Sequence, residues 1–111
     1  MLLTKMLHKH YNLIVVGNSE DCLYEAPQHQ PDAILIDIIM PDLNGYQVCE
    51  WLKSDLRTHN IPVILISSLE PDTQQEDFEL SGAVAYLEKP ITKDILLDTI
   101  DMAIMSKDNL I

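Results

Sequence analysis

Short runs of consecutive apolar residues recur along the chain, separated by stretches in which apolar side chains return every three or four positions. Four such runs stand out: Asn12 to Val16, Ala33 to Asp37, Pro62 to Ser67 and Ala83 to Leu87. They are continuous rather than alternating, as a strand is when both of its faces are covered. Strand-like runs that alternate with helix-like segments predict a parallel sheet with helices on both sides.

The intervening segments predict where those helices begin and end. Ser19 is placed to cap a helix with Glu20 and Asp21 in its first turn, where the helix dipole favours acids, and Pro27 is expected to end or kink it. A second helix opens at Asn44-Gly45 and sets Tyr46, Cys49, Leu52 and Leu56 on one stripe, with Glu50, Lys53 and Asp55 turned to water. A third runs from about Asp72 to Ser81 with Phe78 and Leu80 facing inward, and Gly82 supplies a left-handed exit. The last, capped by Thr92, buries Ile95, Leu96, Ile100, Ala103 and Ile104. At the front, Leu2, Leu3, Met6 and Leu7 have the spacing of a helical stub over residues 1–9.

Composition narrows this picture. With 111 residues, 47% of them hydrophobic and only 3 glycines, the chain has the length and apolar content for a single packed domain, its core spanning residues 12–106. The formal charge of -11 opposes nucleic acid and anionic membranes, because Lys5, His8, Lys9 and His10 form the densest basic cluster and carry two full charges. Cys22 and Cys49 lie in apolar, helix-like surroundings without a CxxC pairing, which suits small core residues in a reducing compartment. The run Met1-Leu2-Leu3 is broken at once by Thr4 and Lys5, and no apolar stretch is long enough to cross a bilayer. A cytoplasmic protein without membrane or nucleic-acid partners is expected.

Candidate chemistry lies where the strands stop, since the crevice of an open parallel sheet forms at the carboxyl ends of its strands. Asp37 ends one run, Ser67 ends the next, and Lys89 follows the last, just before Pro90. Each alone has a structural reading, as a loop acid, a strand-end hydroxyl satisfying backbone groups, or an exposed cation. Together they predict a carboxylate, a hydroxyl and an ammonium on one rim. His8, His10, His29 and His59 show no metal-ligand spacing and read as surface residues. The acids Glu70, Asp72, Glu76, Asp77 and Glu79 read as a solvated helix face.

The segment from Pro31 to Gly45, with Asp37 at its centre, resembles the phospho-acceptor segment of two-component response-regulator receiver domains. Pro62 to Ser68 is similar to that family's fourth strand with its switch hydroxyl. Tyr86 stands where the family often carries an aromatic switch residue, and Lys89-Pro90 resembles its terminal motif. The resemblance covers roughly residues 10–106. It implies a flavodoxin-like, doubly wound parallel sheet and a signalling switch rather than an enzyme. Asp37 would accept a phosphoryl group from a histidine kinase or phosphotransfer protein, with Ser67, Tyr86 and Lys89 responding to it. Magnesium would be held by Asp37 and the backbone carbonyl of Ile39. An aspartyl-phosphate hydrolase would want a second aspartate where Ile39 stands, which disfavours hydrolysis.

One departure changes these expectations. A typical receiver opens with an apolar strand ending in two acidic residues, followed by a complete first helix. If Asn12 to Val16 is the family's second strand, residues 1–9 correspond to the tail of that first helix. The resemblance then predicts a truncated receiver of about four strands with weak or absent magnesium binding, because a hard cation next to phosphate relies on carboxylate oxygens. It also predicts a homodimer that covers the open sheet edge. The alternative reading is a degenerate pseudo-receiver serving as a phosphorylation-independent interaction or dimerisation module.

Overall fold

A computed structural model describes residues 2–38, 44–67 and 81–108 of the chain. Their elements in order are α1 (Leu2–Leu7), α2 (Ser19–His29), β1 (Ile34–Asp37), α3 (Gly45–Ser54), β2 (Val63–Ser67), β3 (Ala85–Glu88) and α4 (Lys93–Asp108). The strands form a parallel sheet in the order β1-β2-β3. Ile34 stands opposite Val63, and Asp37 opposite Ile66. Ile64 stands opposite Ala85, and Ser67 opposite Glu88.

Alternation along each strand sorts the core into two layers. Ile34, Ile36, Val63, Leu65 and Tyr86 face α2 and α3, packing with Cys22, Ala26, Val48, Cys49 and Leu52. Leu35, Ile64, Ala85 and Leu87 face the other way, onto Leu7 of α1 and Leu96, Ile100 and Ala103 of α4. β2 is buried along its whole length because it has a strand on either side and a layer on either face. This explains why its sequence is continuously apolar.

Several predicted features are in place. Thr92 caps α4, its hydroxyl accepting from the Ile95 amide at 3.3 Å and its carbonyl from the Leu96 amide at 3.0 Å. Gly82 takes a left-handed φ of 82°. The stub α1 docks through the buried Leu7, and the Tyr11 hydroxyl donates to Asp101 Oδ1 at 2.9 Å, fastening the segment after it to α4. The predicted helix from Asp72 lies outside the described residues except for Ser81.

Other predictions need correction. Of the four expected strands, three are strands; Asn12 to Val16 takes part in no ladder, and Ile14 and Val15 are 54% and 64% exposed. The two ends of this segment are tied to opposite layers. Tyr11 and Leu13 pack with α1 and α4, whereas Cys22 and Ala26 of the following helix pack with α3. The segment therefore links the two layers.

The helix caps and faces also differ. The cap of α2 is Asn18 rather than Ser19, with Asn18 Oδ1 accepting from the Asp21 amide at 2.8 Å. Pro27 sits inside that helix, which continues to His29 and ends at Gln30 in a left-handed conformation. Leu56 falls beyond the end of α3 and is 87% exposed, and Ile95 turns outward at 53%. Lys53 does not face water alone. Its ammonium donates to the carbonyls of Ile61 at 2.6 Å and His59 at 3.3 Å, and partial burial pushes its pKa down.

Candidate functional site

The three parallel strands deliver three side chains to one end of the sheet. Asp37 is the last residue of β1, Ser67 the last of β2, and Lys89 follows the last residue of β3. The sheet ladder continues past Asp37 and past Glu88. The Ile38 amide donates to the Ile66 carbonyl at 2.9 Å, and the Lys89 amide donates to the Ser67 carbonyl at 2.7 Å. The backbone on both sides of the site is thus held by the same ladder that holds the core.

On this frame the Lys89 ammonium donates to Asp37 Oδ2 at 2.9 Å. The pair bridges the outer strands across the end of β2, between residues 52 apart in sequence. Both side chains remain a little over 40% exposed, so an incoming macromolecule can reach them. An exposed ion pair of this kind contributes about 0–1 kcal/mol to stability, so its importance lies in placing a cation against the carboxylate. Ser67 is fully buried at the strand end. Tyr86 sits within β3 opposite Leu65 and packs, half-buried, on the layer of α2 and α3. The structure brings Asp37 and Lys89 into contact and sets Ser67 and Tyr86 on the neighbouring strand positions.

Behind Asp37 the chain turns into α3. Asn44 caps this helix, its Oδ1 accepting from the Gln47 amide at 3.0 Å, and the Gly45 amide donates to the Ile38 carbonyl at 2.6 Å. A Cβ on Gly45 would fall 2.8 Å from the Asp37 carbonyl oxygen, 2.8 Å from the Ile38 Cα and 2.9 Å from the Ile36 side chain. The helix start is therefore pressed against the strand end that carries the carboxylate. Sequence reasoning marks Asn44-Gly45 only as a helix start. The close approach is missed, and a glycine immediately after a capping asparagine is the faint signal for it. Asn44→Ala is expected to lower stability by about 1 kcal/mol through the lost cap, measured as a lower urea midpoint with an unchanged slope.

The described residues do not by themselves assemble a magnesium site. Among them no group of three or more His, Cys, Asp or Glu side chains converges, and the carboxylate at the strand ends is paired with Lys89. Ile39, expected to offer its carbonyl, and Asp42 lie outside the described residues. Cys22 and Cys49 are buried and free, and burial pushes both thiols up, away from the reactive thiolate. No helix among the described residues is long and apolar enough to cross a membrane.

Comparison with known proteins agrees with this geometry. The chain is 39% identical over 100 residues to protein PilH of Pseudomonas aeruginosa, a match covering 89% of this chain and 83% of that protein. It is 36% identical over 90 residues to the polar-differentiation response regulator DivK of Brucella anthropi, covering 81% and 73% respectively. In three dimensions it resembles the signal receiver domain of a histidine kinase from Syntrophus aciditrophicus, with a TM-score of 0.87, 25% identity and coverage of 99% of this chain and 84% of that one. It shares its fold with the receiver domain of sensor histidine kinase PA1611 from Pseudomonas aeruginosa, solved with a magnesium ion coordinated in the active-site cleft. That match has a TM-score of 0.86 and 23% identity and covers 94% of this chain and 86% of that one. Residues 1–101 match the response regulator receiver domain family. With its parallel sheet, its strand-end aspartate and lysine, and these relatives, the chain belongs to the response regulator receiver domains of two-component signalling, with their flavodoxin-like fold.

Proposed function

We propose that Asp37 is the phosphoryl acceptor of this domain and that Lys89, Ser67 and Tyr86 read its modification. The observation that carries this reading is the 2.9 Å contact between the Lys89 ammonium and Asp37 Oδ2 at the carboxyl ends of the strands. A carboxylate oxygen attacks the phosphorus of a phosphohistidine on a kinase or phosphotransfer protein. The P–N bond breaks, the histidine nitrogen takes up a proton, and an acyl phosphate remains on Asp37. Lys89 then meets a group of greater negative charge and can donate to a phosphoryl oxygen, while the Ser67 hydroxyl, at the end of the neighbouring strand, is the second donor of this reading. Movement of Lys89 and of the β2 end is passed to Tyr86, which is packed on the same strand pair.

The product is a signalling state, not a released molecule, so the domain acts as a switch rather than as an enzyme. Magnesium next to the phosphoryl group would be held by Asp37 together with further oxygen ligands, and would offset the charge that the phosphoryl group brings. Two free, buried cysteines suit a cytoplasmic setting.

Incubation with a small-molecule phosphodonor and magnesium tests the reading. Intact-mass measurement is expected to show the gain of one phosphoryl group, removed by hydroxylamine as an acyl phosphate is. No gain, with or without magnesium, would overturn it. A second reading, an interaction module that works as a homodimer without phosphorylation, is favoured by the exposure of the apolar Ile14 and Val15.

A further inference from the structure

Resting on the acceptor reading of Asp37, we infer that Glu88 is a specificity-determining residue of the same site: its carboxylate slows phosphoryl transfer from small anionic donors and favours a donor that presents a cation to it. Glu88 is the last residue of β3 and stands opposite Ser67, the last residue of β2. Lys89 follows it at once and holds Asp37 Oδ2 at 2.9 Å. Leu87 and Asp37 both stand opposite Ile66, so Glu88 lies one residue beyond the level of the acceptor on the second strand over. With parallel strands about 4.8 Å apart and a rise of about 3.3 Å per residue, its backbone is roughly 10 Å from that of Asp37.

Its position leaves the carboxylate to act through charge. Glu88 is exposed where the rest of β3 is half-buried, and among the described residues no cation lies within ion-pair distance of it. The backbone beneath it is fixed, because the Lys89 amide donates to the Ser67 carbonyl at 2.7 Å. Alternation along the strand turns Glu88 to the face of Tyr86 and Lys89 to that of Leu87, so Glu88 stands to one side of the Asp37–Lys89 pair. The segments that follow β1 and β2 at this rim add no counter-charge in sequence, since residues 38–44 and 68–80 contain no Lys, Arg or His.

Charge then sorts the donors. Lys89 is matched to Asp37, so the acceptor pair is formally neutral and Glu88 leaves this part of the rim negative. An incoming phosphoryl group brings further negative charge to within roughly a Debye length of Glu88, where like charges repel through water. A phosphohistidine protein avoids this repulsion when its own surface sets a Lys or Arg against Glu88, which turns it into an ion pair across the interface. A small anionic donor has no such cation to offer. Glu88 thus discriminates through its field, with Asp37 still the nucleophile.

Rates of phosphoryl mass gain on the full chain test this, at low ionic strength and a fixed magnesium concentration, with doubly anionic acetyl phosphate and with phosphoramidate, whose net charge is lower. Glu88→Gln is expected to react with acetyl phosphate about two- to threefold faster than the parent, and Glu88→Lys about four- to eightfold faster, with smaller gains from phosphoramidate. In high salt the three rates are expected to converge, which a change of structure would not bring about. Asp32→Asn removes an equal charge just before β1, at the opposite end of the sheet, and is expected to match the parent. A Glu88→Gln rate equal to or below the parent's, a difference that persists in high salt, or an equal gain in Asp32→Asn overturns the inference and leaves the acceptor reading intact. No mass gain in the parent overturns that reading and the inference with it. Glu88 is exposed, so both variants are expected to keep the parent's urea midpoint, and Glu88→Gln decides alone where Glu88→Lys does not.

Discussion

Asp37→Asn is expected to abolish the phosphoryl mass gain completely while leaving the fold in place. The reasons for the two halves are separate. An amide of the same shape keeps an oxygen within reach of the Lys89 ammonium but has no anionic oxygen to attack phosphorus, so no acyl phosphate forms. Stability changes little because Asp37 and Lys89 are each more than 40% exposed and their 2.9 Å pair is of the surface kind, contributing about 0–1 kcal/mol. The urea midpoint of the variant should therefore lie close to that of the parent, which separates loss of acceptor chemistry from loss of structure. Persistent, hydroxylamine-labile mass gain in Asp37→Asn would move the acceptor to another carboxylate, with Glu88, exposed opposite Ser67, one candidate on the rim.

The strand-end residues were legible for a physical reason. Each of three apolar runs stops abruptly at, or just before, a polar side chain, and a parallel sheet carries all such stops to one edge. Asp37 and Lys89 could therefore be placed on a common rim without knowing their distance. Alternation along β1, β2 and β3 likewise follows from the pleat, so the two core layers were implicit in the runs.

What could not be read depended on contacts between segments. Asn12 to Val16 has the composition of a strand, but a ladder needs a partner strand beside it, and among the described residues none pairs with this segment. The helical stripe that includes Leu56 assumes that α3 continues, whereas it ends at Ser54 and the Asp55 carbonyl instead accepts from the Thr58 and His59 amides at 3.0 and 2.8 Å. Lys53 reads as solvent-facing by its charge, yet its flexible stem lets the ammonium reach two carbonyls left over by the loop before β2. In each case local preference was overruled by contacts made or lacking elsewhere in the chain.

Gly45 is the position where such a distant contact bears most on the site, and Gly45→Ala is expected to destabilise the domain by about 2 kcal/mol. At an ordinary helix position the same change would be favourable, by up to about 1 kcal/mol, since alanine is the better helix former. Here the added methyl group would approach the Asp37 carbonyl oxygen and the Ile38 Cα to 2.8 Å, and both belong to backbone locked in the ladder with β2. Neither can rotate away as a side chain would, so α3 must shift outward. That movement stretches the 2.6 Å bond from the Gly45 amide to the Ile38 carbonyl and loosens the packing of Tyr46, Val48 and Cys49 behind it. The strain therefore exceeds the gain in helix propensity, and the thermal midpoint should fall by roughly 8–16 °C. Because the strain is centred on the residue that carries the acceptor carboxylate, phosphoryl uptake should slow in the folded variant as well. A midpoint equal to or above the parent's would show that the start of α3 can move freely, and that the strand end at Asp37 is not held from behind.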